Sequence, residues 1–248
     1  MIEQMGTLLE LSHVCFSTRN QEIIRDISFT CAEGKATALV GPSGGGKSTV
    51  LKLSAGLLVP SRGEVVFRGK NISQMNRREN LEFRKEGAVV FQDSALWANQ
   101  SIRQILELPL QVHFPAMHPD ERIGRVWEVL RMVGYRKEIG IRPAMLSMGE
   151  QKLIAFARAL MCQPRLLFLD EWTESLDDRS AQRLLALVRE RKALGHTIIF
   201  VSHDLHIIRD LADRALVIFG GELYMALNES QIKNDDNLGR FLEKEIAS

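Results

Sequence analysis

The segment Gly41-Pro-Ser-Gly-Gly-Gly-Lys-Ser48, between the apolar run Ala36–Val40 and a helix-like stretch over 49–58, constrains the fold more than any other part of the chain. A short apolar run, a glycine-rich turn and a helix in immediate succession read as strand, phosphate-binding loop and helix start. Gly41, Pro42, Ser43, Gly44, Gly45 and Gly46 form a turn whose glycines let successive backbone N–H groups close round a polyphosphate. The helix beginning near Lys47, Ser48 and Thr49 adds its positive end. Lys47 supplies a point charge for the β- and γ-phosphates, and Ser48 a hydroxyl for Mg²⁺.

At 248 residues, 45% hydrophobic and 25% charged, the chain is long enough to bury a sizeable core. Thirty-two basic residues against thirty-one acidic ones leave a formal charge of +1, so no overall field draws it to nucleic acid or to an anionic membrane. Cys15, Cys31 and Cys162 are odd in number and lack paired metal-ligand spacing, which argues for reduced thiols. The first residues have no basic and apolar leader pattern, and no apolar run approaches the roughly 18–20 residues that span a bilayer. The expectation is a soluble cytoplasmic chain whose membrane role, if it has one, runs through a partner.

Residues 8–16, 23–31, 36–40 and 63–67 are short, β-rich and bounded by turns, which predicts strands around the first helix. From about 102 to 160 the spacing becomes helical, and Ile123, Val126, Trp127, Leu130 and Val133 form a stripe expected to face the core. Apolar runs at 166–169, 197–201 and 215–219, the first two separated by a helical stretch over 178–194, predict parallel strands buried on both faces. The segment from Asn228 onward is polar except for Leu238, Phe241 and Leu242; a docked helix and a partly disordered tail both fit it.

Asp170 ends one apolar run at the edge where open α/β sheets gather ligands, and so is a candidate Mg²⁺ ligand opposite Ser48. Glu171, next to it, is placed to orient and activate a water. Ser147 precedes a helix over 150–158 and suits its N-cap.

Taken together, Gly41 to Ser48, Gln92 in Val-Phe-Gln-Asp, Leu146-Ser-Met-Gly-Glu150, Leu169-Asp-Glu171, Ser175-Leu-Asp177 and His203 resemble the ATP-binding subunits of ABC transporters, over about residues 8–225. The resemblance implies an α/β P-loop NTPase fold of the ABC ATPase type, with a RecA-like parallel-sheet core, an N-terminal antiparallel β subdomain and a helical subdomain. It implies one ABC ATPase domain over 1–248, with a catalytic lobe at about 1–92 and 161–225, a helical signature subdomain at 93–160 and a tail at 226–248. ATP and Mg²⁺ are the implied cofactors, and a second copy of the chain and integral membrane permease subunits the implied partners. In the implied head-to-tail dimer, Ser147 and the backbone of Gly149 meet the γ-phosphate on the other copy. Gln92 touches Mg²⁺ and water, His203 the γ-phosphate, and Asp177 shapes the dimer seam; Leu96 and Trp97 flank the permease contact. The family's adenine-stacking aromatic falls near Thr18, leaving Phe16 or Arg19 to serve.

The chain departs from the family pattern at Met148, Glu150, Trp172, Glu174 and Ser175, while Ser147, Gly149 and Glu171 argue for retained hydrolysis. Phe91 to Trp97, Leu108-Pro-Leu110 and residues 237–242 look similar to Mla/MCE-type ATPases, which implies phospholipid as the transported substance. Another solute is the alternative reading. A non-transport ABC ATPase is disfavoured because the chain has no coiled-coil insertion or second cassette. A module that binds ATP without turnover is the remaining contrast.

Overall fold

The computed structural model describes residues 6–19 and 21–234. Its strands are β1 (Thr7–Ser17), β2 (Glu22–Ala32), β3 (Ala36–Val40), β4 (Arg62–Phe67), β5 (Lys70–Asn71), β6 (Gly87–Val90), β7 (Leu166–Asp170), β8 (Thr197–Val201), β9 (Arg214–Phe219) and β10 (Glu222–Asn228). Its helices are α1 (Lys47–Ser54), α2 (Arg77–Glu86), α3 (Ile102–His113), α4 (Pro119–Val133), α5 (Met148–Leu160), α6 (Asp178–Ala193), α7 (Leu205–Leu211) and α8 (Glu229–Asn234). The described residues fall into two units, one reaching to Asn80 and resuming at Lys192, the other Leu81–Arg191. The expected segment of Leu238, Phe241 and Leu242 lies outside the described residues.

In the first unit the strands follow the order β5-β4-β1-β2-β10-β9-β3-β8. β1 pairs antiparallel with both β2 and β4; the short turn after Ser17 dictates this for β2. Its ladder is interrupted near His13, at φ 49°, where the carbonyl of His13 would lie 2.1 Å from a Cβ on Gly63, so only glycine fits there. β3 pairs parallel with β8 and β9, and all five of its residues are buried, which is why its sequence reads as a continuous apolar run. β9 and β10 form a hairpin through Gly220-Gly221, both at positive φ (56° and 82°), as a type I′ turn demands. That glycine pair is the signal for β10, a strand the apolar pattern alone does not reveal.

In the second unit β6 and β7 pair parallel, and α3, α4 and α5 pack on one another. α4 buries Val126, Val129, Leu130 and Val133, whereas Trp127 is 42% exposed. The expected stripe therefore shifts: the i, i+3, i+4, i+7 row runs from Val126, and Trp127, turned about 100° from it, lies outside the buried face. α5 is buried from Lys152 through Ala157 and from Ala159 through Leu160. Arg125 closes its far end, donating to the carbonyls of Leu160 (3.0 Å) and Met161 (3.3 Å), which have no partner within the helix itself. Helix α1 is shorter than expected, ending at Ser54, and the residues after it turn back through Gly56 at φ 61°.

Candidate nucleotide site

Two parts of the first unit's candidate site are set by the parallel strands β3 and β8. Leu39 pairs with Val201, so Gly41 and His203 both leave the sheet two residues beyond the same rung. Gly41, at φ 142°, leaves no room for a side chain, because a Cβ would sit 2.0 Å from the carbonyl oxygen of Ile218 in β9. Gly46 is left-handed at φ 101° and abuts the Cδ1 of Ile24. The Gly221 N–H donates to Gly45 O (3.3 Å), so β2, β9 and the β9–β10 turn wall the loop on three sides. Pro42 is half-buried, Ser43 and Gly44 are exposed, and Ser48 and Thr49 are half-buried in the first turn of α1.

Lys47 lays its ammonium back across this loop and donates to Gly41 O (2.8 Å) and Pro42 O (2.7 Å). No side chain caps α1 at Gly46. His203 is exposed and held in a firm turn: Asp204 N donates to Ser202 Oγ (3.1 Å), and Asp204 Oδ1 accepts from the N–H groups of His206 and Ile207 at the start of α7. Phe16, half-buried in β1, pairs with Ile24, the residue that abuts Gly46.

In the second unit Val90 pairs with Leu169, which brings the ends of β6 and β7 together. Asp170 is buried, and Glu171 follows it at φ 43°, a left-handed backbone uncommon for a residue with a side chain. Gln92 donates from Nε2 to Glu174 Oε2 (2.9 Å). Lys152 reaches from α5 to the carbonyls of Phe91 (3.2 Å), Gln92 (2.5 Å) and Glu171 (3.5 Å). Burial pushes its ammonium pKa down, while the carboxylates of Glu174, Asp170, Asp93 and Glu171 pull the other way.

Ser147 is the N-cap of α5 in a reciprocal capping box: Glu150 N donates to Ser147 Oγ (3.2 Å) and Ser147 N to Glu150 Oε2 (3.0 Å). Glu150 thus has a local reason to be acidic, and it pairs with Lys137 at 2.5 Å. The hydrogen bonds from Lys137 and Ser147 hold its carboxyl below the usual range. Gly149 packs on the backbone of Ser175, whose carbonyl oxygen would lie 3.0 Å from an added Cβ. Met148 is 71% exposed, while Trp172 is fully buried. Asp177 is exposed and accepts from the N–H (2.9 Å) and hydroxyl (2.8 Å) of Ser180 at the start of α6; these bonds lower its pKa. Trp97 is exposed, with Arg158 stacked 5.5 Å from its ring centre, and Leu96 is half-buried.

The first unit therefore gathers the phosphate-loop residues and His203 on one rim, and the second gathers Gln92, Asp170 and Glu171 at another. Sequence reasoning passed over Lys152 and took Glu174 only as a departure from the family pattern; the two tie the second group together. The signal for Lys152 is a single charge inside the apolar run of α5. Among the described residues no helix is long and apolar enough to cross a membrane, and no cluster of His, Cys, Asp or Glu forms a metal cage.

Residues 24–174 match the ABC transporter family. The chain is 37% identical over 211 residues to the nickel import ATP-binding protein NikE of Brucella suis, covering 84% of this chain and 79% of that protein. It is 33% identical over 207 residues to the methionine import ATP-binding protein MetN 1 of Rhodococcus jostii, covering 83% of this chain and 61% of that one. Among solved structures, the dimeric post-hydrolysis state of the ATP-binding cassette MJ0796 bound to ADP and Pi superposes with a TM-score of 0.82 at 26% identity, over 90% of this chain and 99% of that one. These names correct the phospholipid expectation: the relatives are named as ATP-binding proteins of nickel and methionine import, and they favour the alternative of another solute. Of the phrases behind that expectation, Leu108–Leu110 lies inside α3, and residues 237–242 lie outside the described residues. With its fold and its sequence in agreement, the chain belongs to the ABC transporter family and is one of its ATP-binding cassette ATPases.

Proposed function

We propose that this chain powers an importer of a small solute, with nickel ion the first substrate to test, and that it works as a homodimer under membrane permease subunits on the inner face of the cell membrane. The observation that most supports ATP as its fuel is the loop at Gly41–Ser48, walled by backbone on three sides, with the Lys47 ammonium resting on two of the loop's own carbonyls. A triphosphate offers that ammonium charged oxygens in place of neutral ones, a stronger hydrogen bond. The backbone of Gly44, Gly45 and Gly46, with Ser48 and Thr49 at the start of α1, holds the remaining phosphate oxygens. Phe16, half-buried on β1, is the candidate for the adenine ring.

The oxygen donors present suit Mg²⁺: the hydroxyl of Ser48, the amide oxygen of Gln92 and the buried carboxylate of Asp170 are hard ligands. When bound, the ion neutralises charge on the β- and γ-phosphates. Glu171 takes the proton of the attacking water, with Gln92 orienting that water and His203 donating to the γ-phosphate as its charge rises. Ser147 and the N–H of Gly149, at the positive end of α5, complete the grip on the nucleotide held by the other copy, and Asp177 lies along the seam. The proposed functional lobes are a catalytic lobe at about 1–92 and 161–225, a signature subdomain at 93–160 and a tail from 226, a division different from that of the two compact units.

The test is nickel uptake by cells whose only copy of this chain carries Glu171→Gln. Uptake falls to background if nickel is the substrate. Unchanged nickel uptake with lost methionine uptake transfers the proposal to methionine, the reading that the likeness to MetN 1 favours. Failure of the purified chain with its permease to release phosphate from ATP would remove the ATPase reading itself.

A further inference from the structure

Lys152 stands in the middle of α5, with only 2% of its surface exposed, on a helix otherwise filled by Leu153, Ile154, Ala155, Phe156 and Ala157. A leucine or methionine would fill that space without the cost of desolvating an ammonium. Its three donors meet three main-chain acceptors, the carbonyls of Phe91, Gln92 and Glu171. These carbonyls leave the ends of two adjacent parallel strands, β6 and β7.

The contacts close a ring. Lys152 holds Gln92 O; Gln92 Nε2 donates to Glu174 Oε2; Glu174 N donates to Glu171 O at 3.2 Å; and Glu171 O returns to Lys152. The Glu171 carbonyl thus accepts twice, at the residue whose left-handed backbone needs outside support to persist. A second tie runs from the same helix: Arg158 donates to Ala95 O (2.6 Å) and Ser94 O (3.3 Å), and these residues are also left-handed, at φ 45° and 63°. Ser147 begins the same helix, five residues before Lys152.

We infer that Lys152 is a positioning residue, which fixes the main chain of Gln92 and Glu171 to helix α5 so that both reacting side chains keep one register with the helix whose tip carries Ser147. The inference rests on the roles proposed above for Gln92 and Glu171. Lys152 acts through the two carbonyls.

The experiment compares Lys152→Met, which keeps length and removes all donors, with Lys152→Arg, which keeps charge and donors, in the full chain with its permease. Lys152→Met is expected to lower kcat for ATP hydrolysis about tenfold to a hundredfold with KM for ATP within about threefold, and Lys152→Arg to recover most of the loss. Amide hydrogen exchange is expected to rise together in residues 91–95 and 171–175 of Lys152→Met, with α1 unchanged. Unchanged kcat, a loss carried by KM alone, or unaltered exchange in those two segments overturns the proposal. Should Lys152→Met fail to fold, Lys152→Gln against Lys152→Arg carries the same readouts. A wild-type chain that releases no phosphate counts against the ATPase reading only, because the exchange comparison still decides whether Lys152 holds the two segments.

Discussion

At the scale of single residues, the site separates groups that bind from groups that react. Lys47 brings its ammonium to the loop carbonyls, so Lys47→Ala is expected to weaken ATP binding by about 2–3 kcal/mol, on the order of a hundredfold, measured by titration with a fluorescent ATP analogue. Glu171→Gln removes a base and leaves the shape of the side chain, so kcat is expected to fall by about 10²–10⁴ with ATP affinity retained, read by single-turnover phosphate release. His203→Ala, in a turn held by Asp204 and Ser202, is expected to slow hydrolysis at saturating ATP, measured by steady-state phosphate release. The departures from the family pattern also find local grounds. Glu150 is the capping-box acid of α5, Trp172 fills the core, and Met148 faces outward.

Elements carry the next layer, and α5 is the most constrained of them. Ser147→Ala strips the cap from a helix end and is expected to cost about 1 kcal/mol of stability in urea unfolding. Glu150 adds a pH dependence. Its carboxyl pKa lies below the ordinary 4.5 in the folded chain, so its contribution is present above that value and fades as pH falls through the lower folded value. The difference in unfolding midpoint between wild type and Glu150→Gln is therefore expected to shrink from pH 7 towards pH 3. Strands β3, β7 and β8 were legible because burial on both faces makes continuous apolar runs, and the capping serine of α5 because its spacing to Glu150 is a local rule. Less legible were α2, whose ten residues bury only Phe83, and β10, where only Ala226's neighbour Leu227 is buried and the hydrophobic pattern is correspondingly faint. Trp127 was misplaced for a different reason: a row of five apolar residues is wider than the face α4 buries, and periodicity does not say which edge is left in solvent.

For the whole molecule, the motifs announced the family, while the ring of contacts round Lys152 stayed hidden because main-chain carbonyls leave no trace in side-chain spacing. The dimer is tested at this scale: Glu171→Gln with ATP and Mg²⁺ is expected to elute at twice the mass of the nucleotide-free chain in size-exclusion chromatography, and an unchanged elution volume would count against the two-copy grip. The walls of the Gly41–Ser48 loop carry a further consequence. Ile218 and Gly221 shape that loop from far along the chain, although the motif itself is complete by Ser48. A growing polypeptide therefore displays the entire motif long before it owns a moulded pocket, and nucleotide capture waits until synthesis has passed Gly221.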